Sequence, residues 1–305
     1  MRVKLAFLAA IFCNNLGQGF AWSVDSKSCG PITSNIEKAM ENLMKWPAAV
    51  EKSLIKDKRI NDMAASLFNA VDYAKVKETI KKVGAQSQKT TPGSGDREDP
   101  IIYCDLDRYI VISDKKDPKK LQALDTIHNY PIPYEVYEEC EKRTKDTTAY
   151  TTPKTNAKGK GQTVIQLCPW YLKEVGQTPF LNKNGEPQNN KLHNAADILY
   201  QSRGLSVHVD NFARLELTLF HEFVHTPKVK YPPIGDSGTY WGSCTRLTEA
   251  QALDNAESYA MLSLATYLMS TLGATIKPDG TIEWEQDELS AGQKRSEVVG
   301  QQFTA

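Results

Sequence analysis

Between residues 212 and 224 the apolar positions are Phe212, Leu215, Leu219, Phe220, Phe223 and Val224, steps of three and four that predict a helix packed into a core. Pro227 ends it, because a proline cannot donate to the helical ladder. Two more stripes, Ile36, Met40, Leu43, Met44 and Ile60, Met63, Leu67, Val71, predict helices across residues 30–85, with Pro47 between two of them. Thr248 with Gln251 three residues on predicts a capping box opening a helix that runs from Glu249 to about Leu272, where Gly273 stops it. Ile101–Cys104, Tyr109–Ser113 and Thr163–Cys168 read as short strands. Residues 86–100, 151–162 and 175–195 are polar and rich in turn formers, a polar tail follows residue 275, and no internal repeat is visible. The pattern is that of an α+β domain, mainly helical with a small sheet.

The first 21 residues read as a secretory signal: Arg2 and Lys4, the apolar run Leu5–Phe12, then Gly19-Phe20-Ala21 as the cleavage site. The expected organisation is therefore a signal peptide at 1–21, one domain at 22–275 and a polar tail at 276–305. No segment approaches the length of a membrane span, so an exported, extracellular protein is expected. Lys plus Arg equals Asp plus Glu at 37 each, and this neutrality offers no electrostatic reason to expect nucleic acid or a membrane surface as partner. Beyond the signal, Cys29, Cys104, Cys140, Cys168 and Cys244 allow two intrachain disulfides and leave one thiol over.

The chemistry concentrates in His221-Glu222-Phe223-Val224-His225. Residues four apart share a helix face, so both imidazoles can meet one ion, and Glu222 beside the first is placed to move a proton to and from an attacking water. With five histidines in the chain, chance would produce this pattern in about 0.005 chains of such composition. Zinc hydrolase sites take a third protein ligand. The downstream candidates are Asp236, in the turn-rich stretch Pro232–Gly242, and Glu249, Asp254 and Glu257 on the last helix. His128, His193 and His208 have no partner at ligand spacing on a predicted helix and read as surface or structural.

The set resembles the deuterolysin family of fungal secreted zinc endopeptidases. The resemblance rests on the His-Glu-x-x-His helix, on Asp236 with Tyr240 and Gly242 in the loop, on Asn255-Ala256-Glu257-Ser258-Tyr259-Ala260, and on Cys168-Pro169-Trp170-Tyr171. It implies a zincin-like metalloprotease fold with one zinc ion held by His221, His225 and Glu257, where Glu257 stands in for the family's aspartate. It also implies catalytic roles for Glu222, Asp236 and Tyr171, and disulfides Cys29–Cys104 and Cys140–Cys168 with Cys244 free. The expected function is a monomeric, secreted zinc endopeptidase acting on protein or peptide substrates. The rival is a secreted zinc-site protein that no longer cleaves and acts as an interaction module.

Overall fold

A four-residue strand that sequence periodicity did not predict opens the fold: β1 (Ala21–Val24) is buried throughout and becomes an inner strand of the main sheet. The computed structural model describes residues 21–93, 98–113, 117, 120–152, 162–174, 207–212, 214–271 and 273–284. Residues 1–20 of the expected 1–21 signal, the polar stretch 175–195 with His193 and the tail beyond 284 lie outside them, while Ala21, the expected last residue of the signal, is buried in β1.

Helices α1 (Thr33–Leu43), α2 (Trp46–Ser53), α3 (Lys58–Ala64) and α4 (Tyr73–Ala85) follow. Pro47 sits in the first turn of α2, where its missing N–H costs nothing. Ile36, Met40, Leu43, Ile60, Met63 and Leu67 are buried as their stripes require, whereas Val71, beyond the end of α3, is exposed.

Strands β2 (Gln88–Lys89) and β3 (Ile101–Tyr103) flank β1 in parallel. Next come the antiparallel meander β4 (Tyr109–Ser113), β5 (Leu121–Asp125) and β6 (Tyr130–Pro133), then α5 (Tyr134–Lys142). β7 (Ala149–Thr152) pairs antiparallel with β8 (Val164–Leu167), which runs parallel to β3, so the main sheet has the order β2-β1-β3-β8-β7. Arg108 fixes the meander to this sheet: it is buried, pairs with Asp125 at 2.7 Å, donates to the side-chain oxygen of Gln166 on β8 and packs against the rings of Tyr103 and Tyr109.

After α6 (Pro169–Glu174) come β9 (Val207–His208), α7 (Arg214–Val224), α8 (Tyr240–Cys244), α9 (Glu249–Ala252) and α10 (Ala256–Thr271). β10 (Ala274–Ile276) and β11 (Thr281–Trp284) form a hairpin that pairs with β9, so the beginning of the expected tail is ordered sheet. The helix expected from Glu249 to Leu272 is two. The Thr248–Gln251 capping box is present, but the chain turns at residues 253–255 before α10 starts.

α10 is buried from Ala256 to Met269 and packs on α2 and α7. On α7 the buried Leu215, Leu219, Phe220, Phe223 and Val224 face this core, and Phe220 stacks on Trp46 with ring centres 5.6 Å apart. At about 1.5–3 kcal/mol for each fully buried large apolar side chain, this face holds α7 firmly against its neighbours. The fold is thus a mixed helical and small-sheet α+β arrangement.

Disulfides join Cys29 to Cys104 and Cys140 to Cys168, as the resemblance implied, and Cys244 is free and buried. The first closes a loop of 75 residues, and its removal in a Cys29→Ser/Cys104→Ser protein is expected to lower unfolding free energy by about 4 kcal/mol through the freedom returned to the unfolded chain. Urea titration of the two forms checks this.

Candidate metal and catalytic site

α7 ends inside its own motif. Its last turn carries His221 and Glu222, and His225 follows in a tightened turn, its N–H donating to the Glu222 carbonyl at 3.2 Å. The core-facing residues of α7 thereby fix the height and direction of both imidazoles, which face each other with ring centres 4.8 Å apart.

Each ring is held from behind. His221 donates from Nδ1 to Glu257 Oε2 at 2.8 Å, and His225 donates from Nδ1 to the Ile234 carbonyl at 2.6 Å. With both Nδ1 atoms so engaged, each ring in its neutral form turns an Nε2 lone pair inward, and the two Nε2 atoms lie 3.0 Å apart. Asp236 closes the third side, Oδ1 3.1 Å from His221 Nε2 and Oδ2 3.2 Å from His225 Nε2. Two lone pairs and a carboxylate at these distances repel unless positive charge lies among them, and imidazole–carboxylate sets of this kind suit zinc. The donor set fits a metal cation.

The charges respond in the same sense. Burial opposes protonation of His221, but the Asp236 and Glu257 carboxylates outweigh it and hold its pKa well above the ordinary histidine value. Burial acts likewise on His225, and Asp236 with Glu222 turns the balance upward. Burial alone would raise Asp236, yet the two histidines bring it far below the usual carboxylate range. Glu222 is pushed up by burial, with partial relief from His221, His225 and Thr151.

The loop carrying Asp236 is held by the break between α9 and α10. There Asn255 Oδ1 accepts from the N–H groups of Ser237 (2.8 Å) and Gly238 (3.1 Å), and the Ala256 N–H donates to the Gly235 carbonyl at 3.0 Å. Had the helix run unbroken, the Ala256 N–H would have been spent inside it. Glu257, in the first turn of α10, therefore stands behind His221 rather than beside Asp236, and among the described residues the three-residue cluster of potential ligand atoms is His221, His225 and Asp236. The other carboxylates are used elsewhere: Glu249 accepts from Asn69 and Asp254 pairs with Lys230.

Glu222 is 4% exposed, and its Oε2 accepts a 2.6 Å hydrogen bond from Thr151 on β7. Sequence reasoning missed Thr151, since residues 151–162 read as a loop; the β-branched pair Thr151-Thr152 was the available strand signal. Tyr171 is 1% exposed, and its hydroxyl donates to the Arg214 carbonyl at 2.7 Å and bonds Thr218 at 2.9 Å, so that phenol is committed to fastening α6 to α7. Burial raises its pKa strongly. Tyr171 and Tyr240 both line the cleft that holds His221, Glu222 and Asp236, a cavity of about 700 Å³, but Tyr240 is half-exposed and Tyr171 is not. His128 bonds the Tyr103 hydroxyl and His208 lies against Asp210, and neither imidazole lines the cleft.

No family model matches the chain. It is 47% identical over 51 residues to a neutral protease 2 homologue of Emericella nidulans, a stretch that is 17% of this chain and 14% of the relative. It is 37% identical over 68 residues to a homologue from Aspergillus flavus (22% and 17%), and 43% identical over 51 residues to one from Aspergillus fumigatus (17% and 11%). The chain thus matches less than a fifth of the length of these curated relatives. Over that stretch it is similar to the fungal neutral protease 2 homologues of the deuterolysin family, the group its motifs resemble.

Proposed function

We propose that the chain is a secreted, zinc-dependent endopeptidase of the zincin type, acting as a monomer on protein or peptide substrates. The observation that carries this reading is the convergence of His221 Nε2, His225 Nε2 and Asp236 beside the buried carboxylate of Glu222, in one open cleft. The names of its relatives support a protease, and the two disulfides suit an oxidising, extracellular setting. Among the described residues no helix is long and apolar enough to cross a membrane.

In this reading His221, His225 and Asp236 would hold zinc, and Glu257 orients His221 through Nδ1, the part that a carboxylate behind a ligating imidazole plays. Bound there, zinc would acidify a water and polarise a carbonyl. Glu222 takes the proton of the attacking water and passes it to the leaving amine, while Thr151 holds its carboxylate in place. Tyr240, half-exposed in the cleft, is assigned the hydrogen bond to the carbonyl oxygen that the family resemblance implies for Tyr171.

The test is direct. Purified protein is expected to cleave casein, to stop when a chelator is added and to recover with added zinc. A protein that binds zinc stoichiometrically and cuts neither casein nor a peptide library would instead be the non-cleaving interaction module.

A further inference from the structure

Tyr240 has a positive φ of 62°, a conformation that costs a non-glycine residue about 1–3 kcal/mol and persists only where surrounding contacts over-determine it. It is also the first residue of α8, whose local cap residue Thr239 makes no side-chain bond to the helix. Two carboxylates from elsewhere replace that cap. Glu257 Oε1 accepts from the Tyr240 N–H at 3.4 Å, and Asp210 Oδ1 accepts from the Trp241 N–H at 2.8 Å.

Asp210 belongs to none of the motifs read from the sequence. It lies in a 3-10 turn (Val209–Asn211) after β9, borders the cleft, and has its other oxygen 3.0 Å from His208 Nδ1. The assembly is braced from behind by the β10–β11 turn. Trp241 is fully buried and donates from Nε1 to the Pro278 carbonyl, and His208 Nε2 donates to the Asp279 carbonyl, each at 2.8 Å. Gly280 lets that turn approach: a Cβ there would lie 2.5 Å from His208 Nε2 and 2.8 Å from Trp241 Cδ1.

We propose that Asp210 is a positioning residue: by holding the Trp241 amide while Glu257 holds that of Tyr240, it keeps the strained Tyr240 presented to the cleft. Glu257 then links the imidazole of His221 and the backbone of Tyr240 through its two oxygens, and Asp210 fixes the next amide along.

The catalytic consequence rests on the peptidase reading, but the positioning can be tested without it. In metal-free protein, Asp210→Ala is expected to speed amide exchange across residues 238–242 by about tenfold, the loss of a hydrogen bond to a charged acceptor, and to leave residues 256–269 unchanged. In zinc-loaded protein it is expected to lower kcat about tenfold at unchanged zinc content and KM, and to have no further effect in a Tyr240→Ala background, where the group it positions is gone. Asp210→Asn keeps an oxygen acceptor and is expected to restore most of both; it also serves if the alanine form does not fold. Unchanged exchange at 238–242, or effects of Asp210 and Tyr240 on kcat that simply multiply, would overturn the proposal. If the wild-type protein cleaves no peptide, the peptidase reading falls, and the exchange result alone decides whether Asp210 positions Tyr240.

Discussion

Glu222→Gln is expected to leave zinc bound and to reduce peptide cleavage by roughly 10²- to 10⁴-fold, the usual contribution of a positioned acid–base group. The substitution keeps the shape of the side chain and an oxygen to accept from Thr151, so the packing of α7 against β7 has no reason to change. Glu222 is not among the three clustered ligand groups, so metal content and thermal stability should match those of the parent. What disappears is the capacity to take a proton from water and deliver it to an amine. Zinc content by elemental analysis and kcat/KM on a peptide separate the two effects. Undiminished cleavage by the variant would remove Glu222 from the mechanism.

The second large effect separates two carboxylates that the sequence could not rank by position. Asp236→Ala is expected to abolish stoichiometric zinc binding at micromolar protein, and with it cleavage, because it removes one of three converging donors. Glu257→Gln should keep zinc and weaken it about 10- to 100-fold, the cost typical of losing a carboxylate that orients a ligating histidine. Metal titration against a competing chelator reads both. The reverse ranking, zinc lost with Glu257→Gln and kept with Asp236→Ala, would restore the ligand set drawn from the family resemblance.

The helices that carry a one-sided apolar stripe were legible from its period, whereas α5 (Tyr134–Lys142) was not predicted and α10 is buried all round. The stripes at Ile36–Leu43 and Phe212–Val224 lie buried where their spacing puts them. The short strands were harder to read. β1, β7 and β9 have two to four residues, too few for an alternation, and the partners of β1 and β9 lie far along the chain. That is why Thr151, which holds Glu222, went unnoticed, and why the start of the tail was not recognised as a hairpin. The break at residues 253–255 had a local signal in Asp254-Asn255, weak helix formers and good caps, and the loop of Asp236 completes it by taking the Asn255 side chain and the Ala256 N–H.

The sequence by itself determined the two imidazoles and the acid between them, because a four-residue spacing on a helix is local geometry that any packed helix reproduces. It also carried the cysteines that pair. Only the tertiary structure decided which carboxylate faces the histidines and which stands behind one of them, and which tyrosine the cleft exposes. Those choices depend on how a turn at Asn255 ties the Asp236 loop to α10 and on where β7 and the β10–β11 hairpin pack, and such distances between remote segments are not encoded in the spacing of any one stretch.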